Sequence, residues 1–548
     1  MSRLNGGQHG VRNNRTLPMS LAPEITVPRP RVRARFEHLR TASLAVSLPR
    51  AALALAFLVG LSLALRTQAI HARYWIDEGL SVGISSHPVT QIPGLLHQDG
   101  SPPLYYVLLS LWVSVFGNGE ADTHALSVVF AILTVPAAWF AARALFGHRA
   151  AWIAALLAAL NPFLTYYAQE TRMYALAALL SVAVTGTFVA AFVQGRRRML
   201  PAFGASLLLM ILTHNWGLYL GIGTVAALVA PWRAAADRRA FARDVVLTYG
   251  GVGLLYLPWL PTLLFQAKHT GAPWSETPAL QDVLNGLTTL LGGAAPAMAF
   301  ALAAGFGLSS LLASPRRAPR ARAALAVMTM GAVTLALAWA TSQISPSWSP
   351  RYFAVLLGPV LLLGAAGMAR AGRLGLVVLA ILVVFWFNPR TGALNSKSNA
   401  HKVAVMLRNQ LRPGDLVVVA HPEQGPLMHY YLGGADRLRW VNIAGPVADP
   451  AMFDWRDVLH RLHEAKARPT EDAYVRSLRP GQRMLMVFPV VRTASWGAPW
   501  THLVKRRAWQ WQHVLRRDHR LLRLNSIPRL EQNKPHPRGV RTVLYERR

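Results

Sequence analysis

Long apolar runs alternate with short polar breaks along the first 390 residues. The first run, Ala51–Ile70, holds a single charge, Arg66. Ten more follow: Ala125–Phe146, Ala151–Tyr167, Tyr174–Val193, Leu200–Thr213, Leu218–Pro231, Val245–Phe265, Val283–Leu312, Ala323–Thr341, Phe353–Met368 and Leu374–Phe387. A helix needs about 20 mainly apolar residues to cross a bilayer, and most of these runs approach that length. Leu104–Gly117 is shorter and suits a segment that lies in the outer leaflet or doubles back. The pattern predicts an all-α multi-span transmembrane fold with about 11 spans.

Past Asn388 the pattern changes. Asn399–Leu411 reads as a helix, Arg412-Pro413-Gly414-Asp415 as a turn and Leu416–Ala420 as a buried strand. Arg483–Val491 and Gly539–Tyr545 are further strand candidates, and Pro499–Arg517 is helical, with Trp509 and Trp511 among basic residues. Residues 391–548 therefore read as a soluble α/β domain large enough to bury its own core. Its basic helix could rest on anionic headgroups or simply face solvent. His460, His463 and Glu464 share a helix face there, which reads first as a surface. Residues 1–50 are rich in Arg, Pro, Ser and Asn, lack periodicity and read as a disordered basic arm. Residues 51–390 form the membrane domain between them.

Composition agrees. The 548 residues are 53% hydrophobic and 15% charged, which fits a multi-span membrane protein. The net charge of +33 raises a nucleic-acid reading, but the arginines sit in patches between apolar runs: 143–149, 195–198, 233–243, 316–322 and 370–373. That distribution is the signal of membrane orientation. Every second loop is basic if Leu104–Gly117 does not cross. The Arg-poor loops 71–123, 168–173, 214–217, 266–282 and 342–352 then all lie outside. The N-terminus is then cytoplasmic and the C-terminal domain extracytoplasmic. With no cysteine, disulfides and thiolate metal sites are excluded.

The outer loops collect chemistry. Asp77 and Glu78 meet just past the first span, although the whole chain has only 24 acidic residues. A loop carboxylate pair is common in soluble proteins, but charge at a membrane boundary is costly unless it faces water or does chemistry. Glu170 and Arg172 lie between two span ends, as a local ion pair or as a second acid and an anion clamp. His214-Asn215, Lys268-His269 and Arg351-Tyr352 complete a ring of acid, base and cation on one membrane face. Singly, each is more often structural than catalytic.

Tyr74-Trp75-Ile76-Asp77-Glu78, Ser101-Pro102-Pro103-Leu104-Tyr105-Tyr106, Tyr167-Ala168-Gln169-Glu170-Thr171-Arg172-Met173-Tyr174 and Pro350-Arg351-Tyr352 together resemble bacterial, aminoarabinose-transferase-like members of the dolichyl-phosphate-mannose–protein mannosyltransferase superfamily. These are GT-C glycosyltransferases, and the resemblance covers about residues 50–390. It implies a polyprenyl-phosphate-linked sugar donor and transfer of a hexosyl or pentosyl group, with inversion, to a lipid, glycan or protein acceptor on the extracytoplasmic face of the cell membrane. It implies Asp77 as base with Glu78 assisting, and Glu170 as the second acidic position. Substrate contacts fall to Arg172 and Arg351 and, more loosely, to Tyr105, Tyr174, His214, Lys268 and Tyr352. Asp77, Glu78 and Glu170 could hold a divalent metal through oxygen ligands, though some relatives manage without one.

Two other classes compete. A lipid or polysaccharide transporter or flippase would carry ionisable groups near the midplane and internal repeats, whereas here the ionisable residues gather at one face. A glycolipid-binding assembly protein would not need the acid pair.

Overall fold

A computed structural model describes residues 50–313, 318–387, 391–433, 437–490, 497–527 and 539–548. The basic arm and the Ser314–Arg317 patch lie outside these residues. The chain divides into two compact units, Met1–Ala54 and Leu55–Arg548, and of the first only residues 50–54 are described, as the start of a helix.

Among the described residues, seven segments are long and apolar enough to cross a membrane: Glu120–Phe146, Tyr174–Val193, Arg238–His269, Ala294–Leu312, Pro319–Ile344, Pro350–Arg370 and Arg373–Leu407, the last with its described helix over Arg373–Trp386 and residues 388–390 outside the described residues. The protein is a multi-pass membrane protein. Other expected spans are shorter helices, such as His148–Leu160, Leu200–Ile211 and Trp216–Ala227. The expected run Val283–Leu312 is two helices, Leu280–Leu290 and Ala294–Leu312, because Gly292 and Gly293 turn the chain at φ +81° and +129°. Leu104–Phe116 is a single 13-residue helix with Tyr105, Tyr106 and Leu109 buried. Arg66 is fully buried, and its guanidinium donates to Ser62 Oγ at 2.6 Å, Ala131 O at 2.7 Å and Ala158 O at 2.6 Å. It ties three helices together, which accounts for a lone charge in an apolar run.

The C-terminal region is a six-stranded sheet: β1 (Leu416–Val419), β2 (Arg439–Asn442), β3 (Gly445–Pro446), β4 (Arg483–Pro489), β5 (Leu521–Ile527) and β6 (Val540–Arg547). Their order is β3-β2-β1-β4-β6-β5. β1 pairs in parallel with β2 and β4, and the other pairs are antiparallel. β1, β4, β6 and the helix Pro499–Arg517 fall where the sequence predicts them. β2, β3 and β5 escape it. β5 carries a bulge between Arg523 and Asn525 and buries only its two end residues fully, so it has no apolar alternation to read.

The sheet does not close its core alone. The first-loop helix Ile76–Ser85 completes it on both faces. Trp75, Ile76 and Leu80 join the cluster of Leu416, Val418, Met484 and Met486, while Tyr74 and Val82 join that of Val417, Val419, Leu485 and Val487. Close approach runs through Gly79 and Gly83. A Cβ on Gly79 would lie 2.8 Å from Leu427 Cα, and one on Gly83 would lie 1.7 Å from the Ala451 carbonyl oxygen.

Candidate active site

The helix Ile76–Ser85 starts at the carboxylate pair, and its first turn sends the two side chains in different directions. Glu78 points inward and is fully buried. It accepts from Lys397 Nζ at 2.6 Å and Thr171 N at 2.9 Å, and contacts His124 Nε2 at 2.6 Å. Burial alone would raise its pKa, but Lys397 and His124 outweigh burial and hold it down at about 2.

Asp77 faces another way, into a cavity of about 790 Å³. Arg351 Nη1 donates to its Oδ2 at 2.5 Å, and Arg172 Nε stands 3.9 Å from the same oxygen. Arg172 Nη1 also donates to the Asp77 carbonyl at 3.2 Å and to Ser81 Oγ at 2.9 Å. Burial opposes the charge on Arg172, but Tyr106, Tyr174 and Asp77 outweigh it and raise its pKa. The Arg351 guanidinium lies 5.3 Å from the Trp274 ring centre and 5.7 Å from that of Trp75, within cation–π range. Among the described residues, Nε of Arg172 and Nε of Arg351 are buried without a hydrogen-bond acceptor. The cavity thus holds a carboxylate flanked by two cations with unused donors.

His214 lines the same cavity. Its Nδ1 accepts from Trp216 N at 3.1 Å, and burial, then Arg172 and Arg351, push its pKa down to about 3. It is a neutral Nε2–H imidazole at ordinary pH, 4.7 Å centre to centre from the Tyr352 ring.

Of the residues singled out from the sequence, Asp77, Arg172, Tyr174, His214, Arg351 and Tyr352 line one cavity. Tyr105, Glu78 and Glu170 are fully buried but do not line it. Lys268 is exposed on the helix Leu260–His269 and does not line it either, whereas Gln266 on that helix does. Asp77, Glu78 and Glu170 do not converge as metal ligands, since Glu78 is engaged by Lys397 and His124. No group of three His, Asp or Glu suited to a metal occurs among the described residues, the His460–Glu464 segment included.

Sequence reasoning missed several wall residues. Asp99 lines the cavity half-buried, and burial, partly offset by Ser101 and Arg172, raises its pKa. Its signal was its place just before Gly100-Ser101-Pro102. The C-terminal domain adds His421, Glu423, Trp455 and Thr501, with His421 Nε2 2.5 Å from Glu423 Oε1. His421 sits just past the C-terminal end of parallel strand β1, where open sheets place ligand contacts.

The sequence profile described as dolichyl-phosphate-mannose-protein mannosyltransferase matches residues 100–261. The fold is similar to ArnT from Cupriavidus metallidurans, with a TM-score of 0.58 and 16% identity over 81% of this chain and 97% of that one. The chain shares the GT-C fold of that structure. The same ArnT bound to undecaprenyl phosphate matches with a TM-score of 0.57 and 16% identity, over 80% of this chain and 93% of that one. The Archaeoglobus fulgidus oligosaccharyltransferase AglB, in complex with an inhibitory peptide and a dolichol-phosphate, matches with a TM-score of 0.53 and 12% identity, over 79% of this chain and 68% of that one. No curated sequence matches the chain significantly. Within this fold the cavity lies at the junction of the helical membrane part and the C-terminal sheet domain.

Proposed function

We propose that this GT-C protein is an integral membrane glycosyltransferase that moves a sugar from a polyprenyl-phosphate donor to an acceptor on the extracytoplasmic face. The observation that carries the reading is Asp77 set between Arg351 and Arg172 at the wall of a large cavity. A sugar phosphate brings its own leaving group, so the protein must neutralise the phosphate and take a proton from the acceptor. Guanidinium forks match phosphate oxygens, and both arginines keep an unused Nε–H for them.

In the proposed step the acceptor hydroxyl attacks the anomeric carbon in line. The C–O bond to the phosphate breaks, polyprenyl phosphate leaves with the electron pair, and the hydroxyl proton passes to Asp77. The product is inverted. Donor phosphate drawing the arginines toward itself would release the carboxylate to act as base. Glu78 acts at one remove, by fixing the helix that carries Asp77. Tyr174, Tyr352, Trp274 and the neutral His214 offer rings and a ring N–H to the sugar. Undecaprenyl phosphate bound to ArnT and dolichol-phosphate bound to AglB support the donor class. Asp77, Arg172 and Arg351 lie at or beside helix ends and not midway along a span, which speaks against a midplane transport site.

Asp77→Asn tests the reading. Transfer from a polyprenyl-phosphate sugar should fall about 10²–10⁴-fold while the protein stays monodisperse and helical. Transfer at the native rate in that variant would remove Asp77 as the base.

A further inference from the structure

The wall that the C-terminal domain adds to the active-site cavity differs in kind from the rest. Arg172 and Arg351 belong to the membrane part, and among the described residues no lysine or arginine of the C-terminal domain lines the space. That domain contributes His421, Glu423, Trp455 and Thr501 instead. Glu423 stands in the short turn Pro422–Gln424, just past β1, and the other two residues of the turn are buried. β1 is flanked by β2 on one side and β4 on the other, both parallel to it. The chain leaves β1 towards β2 and reaches β4 only later. The carboxyl end of β1 is therefore a topological switch point, where open sheets bind ligands.

Glu423 is set to receive hydrogen bonds. His421 is buried, and its Nε2–H donates to Glu423 Oε1 at 2.5 Å. The Glu423 side chain keeps 12% of its surface exposed, and its carboxylate has no other hydrogen-bond partner among the described residues. One oxygen is thus fixed, and the lone pairs of the other stay accessible. Thr501 repeats the pattern: its hydroxyl donates to Ala498 O at 2.8 Å, which leaves its own lone pairs for a donor. The helix Ile76–Ser85 packs against this turn and against the helix Gly425–Leu432 that follows it. A Cβ on Gly79 would lie 2.8 Å from Leu427 Cα. Asp77, just before Gly79, and Glu423, one turn before Leu427, therefore belong to one tightly packed junction.

The two walls sort two kinds of ligand. Guanidinium groups hold an anion, whereas a carboxylate repels one and receives O–H groups. Asp77 takes the proton of the attacking hydroxyl in the proposed step, so a second carboxylate at the same junction is left to hold a further donor of the acceptor. We infer, on the basis of the sugar transfer proposed above, that Glu423 accepts a hydrogen bond from a second hydroxyl of the acceptor, and that the acceptor is a neutral, hydroxyl-rich glycan. A protein serine presents one hydroxyl and leaves Glu423 unused. A phosphorylated or carboxylated acceptor group is repelled from this wall.

Purified full-length protein in detergent tests this with radiolabelled short-chain polyprenyl-phosphate hexoses and pentoses as donors. The acceptors are polysaccharide, glycolipid and delipidated protein fractions from envelopes of cells that lack the protein. Label should enter the polysaccharide or the glycolipid fraction, which tells free glycan from lipid-borne glycan, and periodate cleavage of vicinal diols should abolish it. Glu423→Gln should raise KM for that fraction about tenfold and change kcat and the donor KM by less than about twofold. Thr501→Val, which keeps the side-chain shape, should raise the same KM about threefold. Label confined to the protein fraction, labelling that survives periodate, or a native acceptor KM in whichever variant is measured would overturn the assignment. Asp77→Asn separates this from the underlying transfer: lost kcat there, with a native acceptor KM in Glu423→Gln, sinks the acceptor assignment alone. No label in any fraction from the native protein removes the transfer and the assignment together.

Discussion

Adjacent carboxylates have different fates here because consecutive side chains on a helix point about 100° apart. Asp77 opens to the cavity, whereas Glu78 sits in a closed network with Lys397, His124 and Thr171. Removing one member of a buried ion pair leaves the other charge uncompensated, at a cost of about 3–5 kcal/mol. Lys397→Met should therefore lower thermal stability strongly, and Lys397→Met/Glu78→Gln should recover much of it. A melting temperature in the single variant equal to that of the native protein would contradict the network. His214 makes a different prediction. Its pKa is held near 3, so it stays neutral across the working range, and the pH–rate profile should show no limb near pH 6.5 that disappears in His214→Gln. Asp77, Arg172 and Arg351 were legible in the sequence because they stand at span ends in the Arg-poor loops and within the short motifs that carry the resemblance. Lys397 was not, because its partner lies 319 positions away and nothing local marks it.

The first-loop helix Ile76–Ser85 is the element on which both halves depend. It carries Asp77 on one side and fills the core of the C-terminal sheet with the other. Gly83 meets the Ala451 carbonyl oxygen so closely that an added methyl must push backbone aside. Gly83→Ala should cost about 1–3 kcal/mol by overpacking and reduce transfer by displacing Asp77. Retained stability with native transfer rates would show that the contact is soft. In the C-terminal domain, burial and then the Asp518 carboxylate push Glu471 up to about 8. The folded state then binds the Glu471 proton more tightly than the unfolded chain does, so stability from this group falls as pH rises from about 4.5 to 8 and levels off above. Glu471→Gln should flatten that slope in urea titrations at several pH values. An unchanged slope would assign the dependence elsewhere. The helix Pro499–Arg517 was legible from its amphipathic repeat, which buries Trp511 and exposes Trp509. The short strand β2 and the bulged strand β5 were not, since neither shows a period.

At the scale of the whole molecule, an acidic and cationic cavity occupies one end of the helices, and a cavity lined by Arg149, Arg320 and Arg370 the other. The proposed orientation puts the first outside and the second in the cytoplasm. Because the chain has no cysteine, single cysteines report on this directly. Glu276→Cys should react with a membrane-impermeant maleimide in intact cells, and Gly195→Cys only after permeabilisation. Labelling in the reverse pattern would invert the topology. The sequence by itself determined the membrane character, the alternation of basic loops and the GT-C resemblance, because those rest on local composition and short motifs. Only the tertiary structure decided which charges share a space. It drew Asp77 to Arg351 across 274 positions, turned Glu78 into a buried anchor and left Lys268 outside. It also brought His421, Glu423 and Thr501 to the cavity from a domain that carried no motif. Packing sets those pairings, and no local pattern encodes which distant residue fills a given face.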